Sequence, residues 1–143
     1  MITCKLLLCS QGVVRDADQG GIYVFNILES VESVDFPFFM QKMDVFALFE
    51  RLRDEPAQHE VRFQLSIGET ELLNSSLAID FQGKLRNRST LHILGLVIPN
   101  PGVLKVSTRF GDTILGTYEV IVEQITAPRV EARQAPAGTK DDV

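Results

Sequence analysis

The sequence predicts an all-β fold, a single antiparallel β-sandwich of the immunoglobulin-like type, on three observations. Apolar residues recur with a period of two rather than 3.6 along most of the chain. Turn-forming residues interrupt the alternating segments at short intervals. The segments are also numerous and short, which is typical of sandwiches and barrels rather than of folds built on long helices.

The clearest alternation runs over 61–67, where every second residue is large and apolar and the residues between them are Arg62, Gln64 and Ser66. Segments 104–110 and 118–123 alternate in the same way. The same analysis along the whole chain predicts nine strands, at 2–9, 21–29, 31–35, 42–50, 59–67, 71–80, 90–98, 102–110 and 112–124.

Glycine and proline mark the turns between the later strands. Gly68 and Gly111 each follow an alternating segment and can adopt the positive φ that a tight reversal requires. The run Pro99-Asn100-Pro101-Gly102 lacks two amide donors, so a sheet ladder cannot continue through it.

Segment 41–53 is the one place where a helix also fits the pattern. Met43, Phe46 and Ala47 are spaced as on one helical face, and the segment contains good helix formers. The odd-numbered residues of 43–49 fit one face of a strand as well. We interpret this segment as a strand.

The chain of 143 residues is long enough for one domain whose core needs no disulfide or metal. The sandwich domain is predicted to cover 1–125. Residues 126–143 are rich in Ala, Pro and polar side chains and carry almost no large apolar ones, which predicts a disordered tail. The charges of this tail cancel, so the net charge of −5 belongs to the folded part.

Charge and composition argue against several partners. An acidic chain is poorly suited to nucleic acid, because that affinity comes largely from Lys and Arg on phosphates. No apolar run approaches the roughly 20 residues that a membrane helix needs, and no secretory signal pattern is present, so we expect a cytoplasmic location and no membrane partner. The basic run 84–88 is interpreted as a solvated loop in preference to a site for RNA or another anionic partner.

The two cysteines are predicted to be buried, inert thiols. Their odd spacing would place Cys4 and Cys9 on opposite faces of one strand. That placement opposes a disulfide or a shared metal site.

Sequence motifs predict no catalytic residues, no metal ligands and no cofactor. Asp16 and Asp18 have the spacing of an EF-hand loop, but Gly20 and Ile27 stand where further calcium ligands are required. A β-turn between the first two strands explains the same residues and is favoured. The chain also lacks a Gly-x-Ser-x-Gly elbow, a phosphate loop and a dinucleotide fingerprint.

His59 and His92 are the two histidines of the chain. His92 lies within an apolar strand, where a hydrogen-bonded structural imidazole is the expected role. His59 precedes Glu60, and neighbouring side chains on a strand point to opposite faces, so this pair cannot form a dyad. An enzyme is therefore disfavoured, and a dispersed site around His59 and Asp112 is the catalytic alternative.

Three predicted strands, at 22–28, 43–49 and 91–98, carry large apolar residues on both faces. A two-sheet sandwich buries one face of each sheet, so something must cover the second face. The cover is either internal, such as a loop, a short helix or the aromatic stretch 36–39, or it is another protein chain, most commonly a second copy.

An interface at this second face would use its apolar residues together with the aromatic stretch. The candidates are Tyr23, Phe25, Ile27, Phe38, Phe39, Phe46, Leu48, Leu94 and Leu96. The alternative use of the same face is to line a pocket for a small apolar ligand.

Several short stretches between about residues 4 and 124 also resemble the sequence pattern of a known protein family. They are Leu6 to Val13, the turn Asp16…Gly20-Gly21-Ile22, Phe36-Pro37-Phe38, His59 to Arg62, Ile98 to Gly102, and Phe110-Gly111-Asp112…Leu115-Gly116. With these turns the chain resembles a bacterial domain-of-unknown-function family of small intracellular β-sandwich proteins. The resemblance implies the sandwich fold and no activity.

Together these observations predict a non-catalytic cytoplasmic β-sandwich that acts as a protein–protein interaction or structural module. We expect a protein partner or self-association as a homo-oligomer. The alternative is a sandwich or barrel that binds a small apolar ligand.

Overall fold

The computed structural model describes residues 1–127, so residues 128–143 of the predicted tail (126–143) lie outside the described residues. Within this range the chain forms strands and no helix, so segment 41–53 is a strand followed by a turn. No helix of 1–127 is therefore long and apolar enough to cross a membrane. The strands are β1 (Thr3–Arg15), β2 (Ile22–Ile27), β3 (Ser30–Ser33), β4 (Phe38–Glu50), β5 (Gln58–Ile67), β6 (Thr70–Asp80), β7 (Arg86–Ile98), β8 (Gly102–Phe110) and β9 (Thr113–Gln124).

Two sheets make a sandwich-like fold, as the sequence predicts. Sheet A has the order β2-β1-β4-β7 and is antiparallel throughout. Sheet B has the order β3-β9-β8-β5-β6 and is mixed, because β3 runs parallel to β9. The prediction of an entirely antiparallel sandwich is wrong at β3. Only Leu28 and Glu29 separate β2 from β3, so the chain crosses between sheets without the reversal that antiparallel pairing with β9 would need.

The core lies between the sheets and is built from alternate residues of the long strands. Met43, Val45 and Phe49 of β4 face Phe63 and its neighbours in sheet B, and Phe49 and Phe63 meet edge to face with ring centroids 6.4 Å apart. Aromatic pairs of this geometry add about 0.5–1.5 kcal/mol beyond the area they bury. The core therefore rests on the period-two pattern of the sequence.

Both cysteines face this core, which corrects the prediction that they lie on opposite faces. The pairing of β1 with β4 shifts by one residue between Cys4 and Leu6. This bulge turns Cys4 inward, where its sulfur lies 3.2 Å from the position that a Cβ on Gly116 would occupy. One extra residue in a strand reverses the parity of every side chain before it.

In both β4 and β7 the side of the strand that faces the core changes partway along, and it changes at paired positions of the two strands. Ile93 faces the core, Leu94 is 75% exposed, and Leu96 and Ile98 face the core again. Gly95, between them, has φ +79°, and a Cβ there would lie 3.5 Å from the Phe39 ring. On β4 the inward parity changes between Met40 and Met43, so the pairing with β7 stays in register. Part of the two-sided apolar pattern in 91–98 is therefore a change of face rather than a second covered face.

The end of the β1–β2 pair bends away from sheet A. Pairing of β1 with β4 stops at Ser10–Asp44, whereas β1 remains paired with β2 as far as Arg15–Ile22. An unbent β1 would place Arg15 about 30 Å from Arg88, at about 3.3 Å per residue. Instead the two arginines line one surface depression. We call 12–25 the hairpin; it crosses the outer face of sheet A, the face turned away from sheet B.

The hairpin gives sheet A an internal cover. Leu8 and Phe46 are paired neighbours on the outer face, and both are buried although neither belongs to the core between the sheets. Ser10 and Asp44, in the next row, are fully buried as well. The second apolar face of 43–49 is thus covered from within the chain.

Candidate functional site

The solvent-facing side of the hairpin is apolar. Val14, Tyr23 and Phe25 share one side, because Gly12 pairs with Phe25 and Val14 pairs with Tyr23. Tyr23 is 54% exposed and Phe25 53%. The side chains that alternate with them, including Val13 and Val24, are half-buried. The hairpin therefore has apolar side chains on both sides. One side covers sheet A, and the other is exposed to solvent.

A groove of about 760 Å³ lies between the β2–β3 crossover and the beginning of β4. It opens where β1 leaves β4. Its walls are 26–31 on one side and 38–42 on the other, with Gln11 between them. Exposed apolar residues line both walls, Ile27 at the end of β2 and Phe39 on β4. Phe25 precedes the first wall along β2, and Leu94 pairs with Lys42 of the second.

The nine interface candidates fall into three groups. Five are exposed: Tyr23, Phe25, Ile27, Phe39 and Leu94. Phe38 and Leu48 are half-buried, and Phe38 lines the groove. Phe46 and Leu96 are buried within this chain, under the hairpin and in the core, so neither belongs to an exposed surface.

A buried carboxylate joins the hairpin to sheet A. Asp44 is fully buried; its Oδ1 is 2.8 Å from Nδ1 of His92, and its Oδ2 accepts the Val13 N–H at 3.0 Å. The Lys42 ammonium lies 3.9 Å from the same carboxylate. Sequence reasoning missed Asp44, although an acidic residue between Met43 and Val45, inside an apolar strand, was a usable signal.

The Asp44–His92 pair has the geometry of a carboxylate that orients an imidazole. The His92 side chain is 57% exposed, and its Nδ1 is engaged by Asp44. Ser10 lies on the opposite side of Asp44 from His92, and its hydroxyl donates to the Gly12 carbonyl at 3.2 Å. Within the described residues the pair thus orients a histidine without bringing this serine to it, and its evident role is to anchor the hairpin.

The other sequence candidates have structural partners. The ring of His59 packs edge-on against Phe81 and Phe110, and its Nε2 lies 2.8 Å from the Pro56 carbonyl. Asp112 follows in the β8–β9 turn, and no hydrogen bond or ion pair among residues 1–127 joins it to His59. Asp16 accepts the Asp18 N–H at 2.9 Å, so its carboxylate organises the β1–β2 turn.

The thiol groups are poorly disposed to react. Burial raises the pKa of Cys9 to about 12. Burial also raises the pKa of Cys4, while the side chain of Thr108 acts in the opposite direction. Thiolates are the reactive form of cysteine, so we expect Cys9 to be inert near neutral pH and Cys4 to react slowly.

Comparison of the sequence with protein-family models gives no match, and comparison with curated proteins gives no significant match. Fold and surface chemistry are therefore the basis for proposing a function.

Proposed function

We propose that this protein is a non-catalytic interaction or structural module that acts in the cytoplasm, and that the hairpin and the groove beside it form its binding surface. The observation that carries the proposal is the apolar solvent face of the hairpin, with Tyr23 and Phe25 each more than half exposed. Exposed clusters of large apolar side chains mark association sites. Aromatic residues are also enriched among those that dominate binding energy.

Self-association is the form we propose, because the hairpin face could meet the same face of a second copy across a two-fold axis. The two apolar flanks of the groove supply further contact area on the same side of the molecule. Burying a large exposed aromatic side chain contributes about 1.5–3 kcal/mol.

The experiment compares Phe25→Glu with Ile114→Glu. Both residues are exposed, by 53% and 50%, but Ile114 lies on β9 in the other sheet. Light scattering after gel filtration, together with affinity capture from the source cells, measures the assembly state and the bound chains. We expect F25E to lose assembly or partner while I114E keeps it. A folded F25E with unchanged assembly and unchanged bound chains would refute the proposal.

A second candidate is a binding site for a small apolar ligand in the groove. The volume of about 760 Å³ falls within the usual range of ligand sites, roughly 300–1,000 Å³. Phe38, Phe39 and Met40 supply the apolar lining from β4. A thermal-shift screen of lipids and aromatic metabolites tests this function, and a hit should be lost in Met40→Glu but kept in I114E.

A further inference from the structure

We infer that Arg15, Lys84 and Arg88 form a binding site for a phosphate group, which does not use the apolar side chains of the interaction surface proposed above. These residues line a depression of about 170 Å³ together with Arg86, Asn87 and the 80–82 turn. The depression exists because the hairpin carries Arg15 across the outer face of sheet A to the beginning of β7. A straight β1 would leave the basic run 84–88 without it.

The charge of the depression contrasts with that of the whole protein. Four cationic side chains converge on it in a chain of net charge −5, against one carboxylate, Asp80. Arg86 is already paired, its Nε lying 3.1 Å from Glu50 Oε2. Among the ion pairs of residues 1–127, none involves Arg15, Lys84 or Arg88. Neighbouring like charges repel, and a bound anion removes that repulsion.

The backbone beneath these cations is held in place by hydrogen bonds. The buried side chain of Arg51 donates from Nε to the Lys84 carbonyl and from Nη1 to the Glu55 carbonyl, both at 2.8 Å. Lys84 N–H donates to the Phe81 carbonyl at 2.9 Å, and Asn87 Nδ2 donates to the Asp80 carbonyl at 3.0 Å. Such support lowers the ordering cost of binding. The prediction of a solvated loop at 84–88 is wrong from Arg86 onward, because β7 begins there.

The chemistry fits phosphate better than a carboxylate. Guanidinium groups donate two parallel hydrogen bonds to carboxylate or phosphate oxygens. A carboxylate has only two oxygens, which one guanidinium engages, whereas a phosphate has enough oxygens to accept from Arg15 on β1, Arg88 on β7 and Lys84 together. A wider depression of about 670 Å³ shares Lys84, Arg86 and Arg88 and adds Leu48, Leu85 and Glu50, the last of which is paired with Arg86. It offers room for an apolar group attached to the phosphate. The phosphate could thus belong to a soluble phosphate ester or to a lipid headgroup.

Calorimetric titration of the full chain with pyrophosphate tests whether the site binds a soluble phosphate compound. A parallel arm measures sedimentation with phosphatidylcholine vesicles that contain or lack phosphatidic acid. We expect Arg15→Gln and Arg88→Gln each to weaken binding about tenfold or more, because hydrogen bonds to charged groups contribute that much. Arg62→Gln, on β5, is the matched control and should bind as the unmodified chain does.

Pyrophosphate binding assigns the site to a soluble ligand, whereas binding only to phosphatidic acid vesicles assigns it to a headgroup. Either result supports the inference if the R15Q/R88Q double variant loses that binding while circular dichroism shows that it is folded. Three results would overturn the inference: no binding in either arm, binding retained by the double variant, or an equal loss in R62Q.

Discussion

At the scale of single residues, Asp44 has a structural role that the sequence analysis did not identify. It is fully buried and ties the hairpin to sheet A through the Val13 amide and the His92 ring. A buried carboxylate is tolerated only where hydrogen bonds compensate its lost hydration. Here those bonds come from two other strands, β1 and β7, so the residue fixes the position of an element as well as its own.

Replacing Asp44 should test that role. We expect Asp44→Ala to lower the free energy of unfolding by about 3 kcal/mol, because two hydrogen bonds to a charged group are lost and the Val13 amide loses its acceptor. Urea unfolding measures the loss, and hydrogen exchange should show faster exchange of the Val13 amide. Leu94→Ala, on exposed surface, is the control. Unchanged exchange at Val13 in D44A would mean that the hairpin is held by something else.

The thiols allow a second prediction at this scale. With its pKa near 12, Cys9 should not react with a disulfide reagent at pH 8 in the native protein. Cys4, half-buried with a raised pKa, should react slowly. Both should react rapidly in denaturant, because unfolding restores the ordinary pKa and access. Rapid labelling of two thiols in the native state would contradict the burial of Cys9.

At the scale of elements, the change of face in β7 determines which of its leucines can be replaced without a loss of stability. Leu94 and Leu96 have the same parity in sequence, and strict alternation places them on one side of the strand. The positive φ of Gly95 between them leaves Leu94 exposed and Leu96 buried. Only a residue without a Cβ adopts this conformation readily.

The two leucines therefore make a matched pair. We expect Leu96→Glu to cost more than about 4 kcal/mol and abolish folding, because it buries an unpaired charge. Leu94→Glu should change stability by no more than about 0.5 kcal/mol, since its side chain stays in water. Thermal unfolding of both variants checks this. Similar melting temperatures would show that β7 keeps a uniform alternation.

At the scale of the whole molecule, carboxylates at one end of the sandwich couple stability to pH. Hydrogen bonds from Arg86 and Lys5 lower the pKa of Glu50 below 4.5, and the Leu52 amide, with the N-terminal amine, lowers that of Glu55. A depressed folded pKa contributes stability above the unfolded value. That contribution is lost as pH falls through the folded value.

Unfolding midpoints in urea should therefore fall as the pH is lowered from 6 to below about 4.5, the ordinary value for glutamate. The double variant Glu50→Gln/Glu55→Gln should show a shallower fall, because its side chains do not titrate. Glu69→Gln, in the exposed β5–β6 turn, is the comparison variant. An identical pH dependence in the double variant would remove these two carboxylates as the cause.

Much of this architecture is predictable because strand formation is a local property. Segments 59–67, 102–110 and 112–124 are strands within one or two residues of their predicted bounds, and the turn at Gly111 lies where glycine indicates it. The extension of β1 through 10–15 was not predicted, because Ser10, Gln11 and Gly12 have the composition of a turn. The interface candidates were chosen by alternation, so they included Phe46 and Leu96, which the fold buries.

What the sequence by itself determined is the all-β class, the approximate positions of the strands and most of the residues that fill the core, because side chains alternate wherever the backbone is extended. Tertiary structure alone decided the parallel placement of β3, the inward turn of Cys4, the change of face at Gly95 and the path of the hairpin across sheet A. Each of these depends on which distant strand a segment meets. The path of the hairpin produces both its apolar solvent-facing side and the cationic depression at its end.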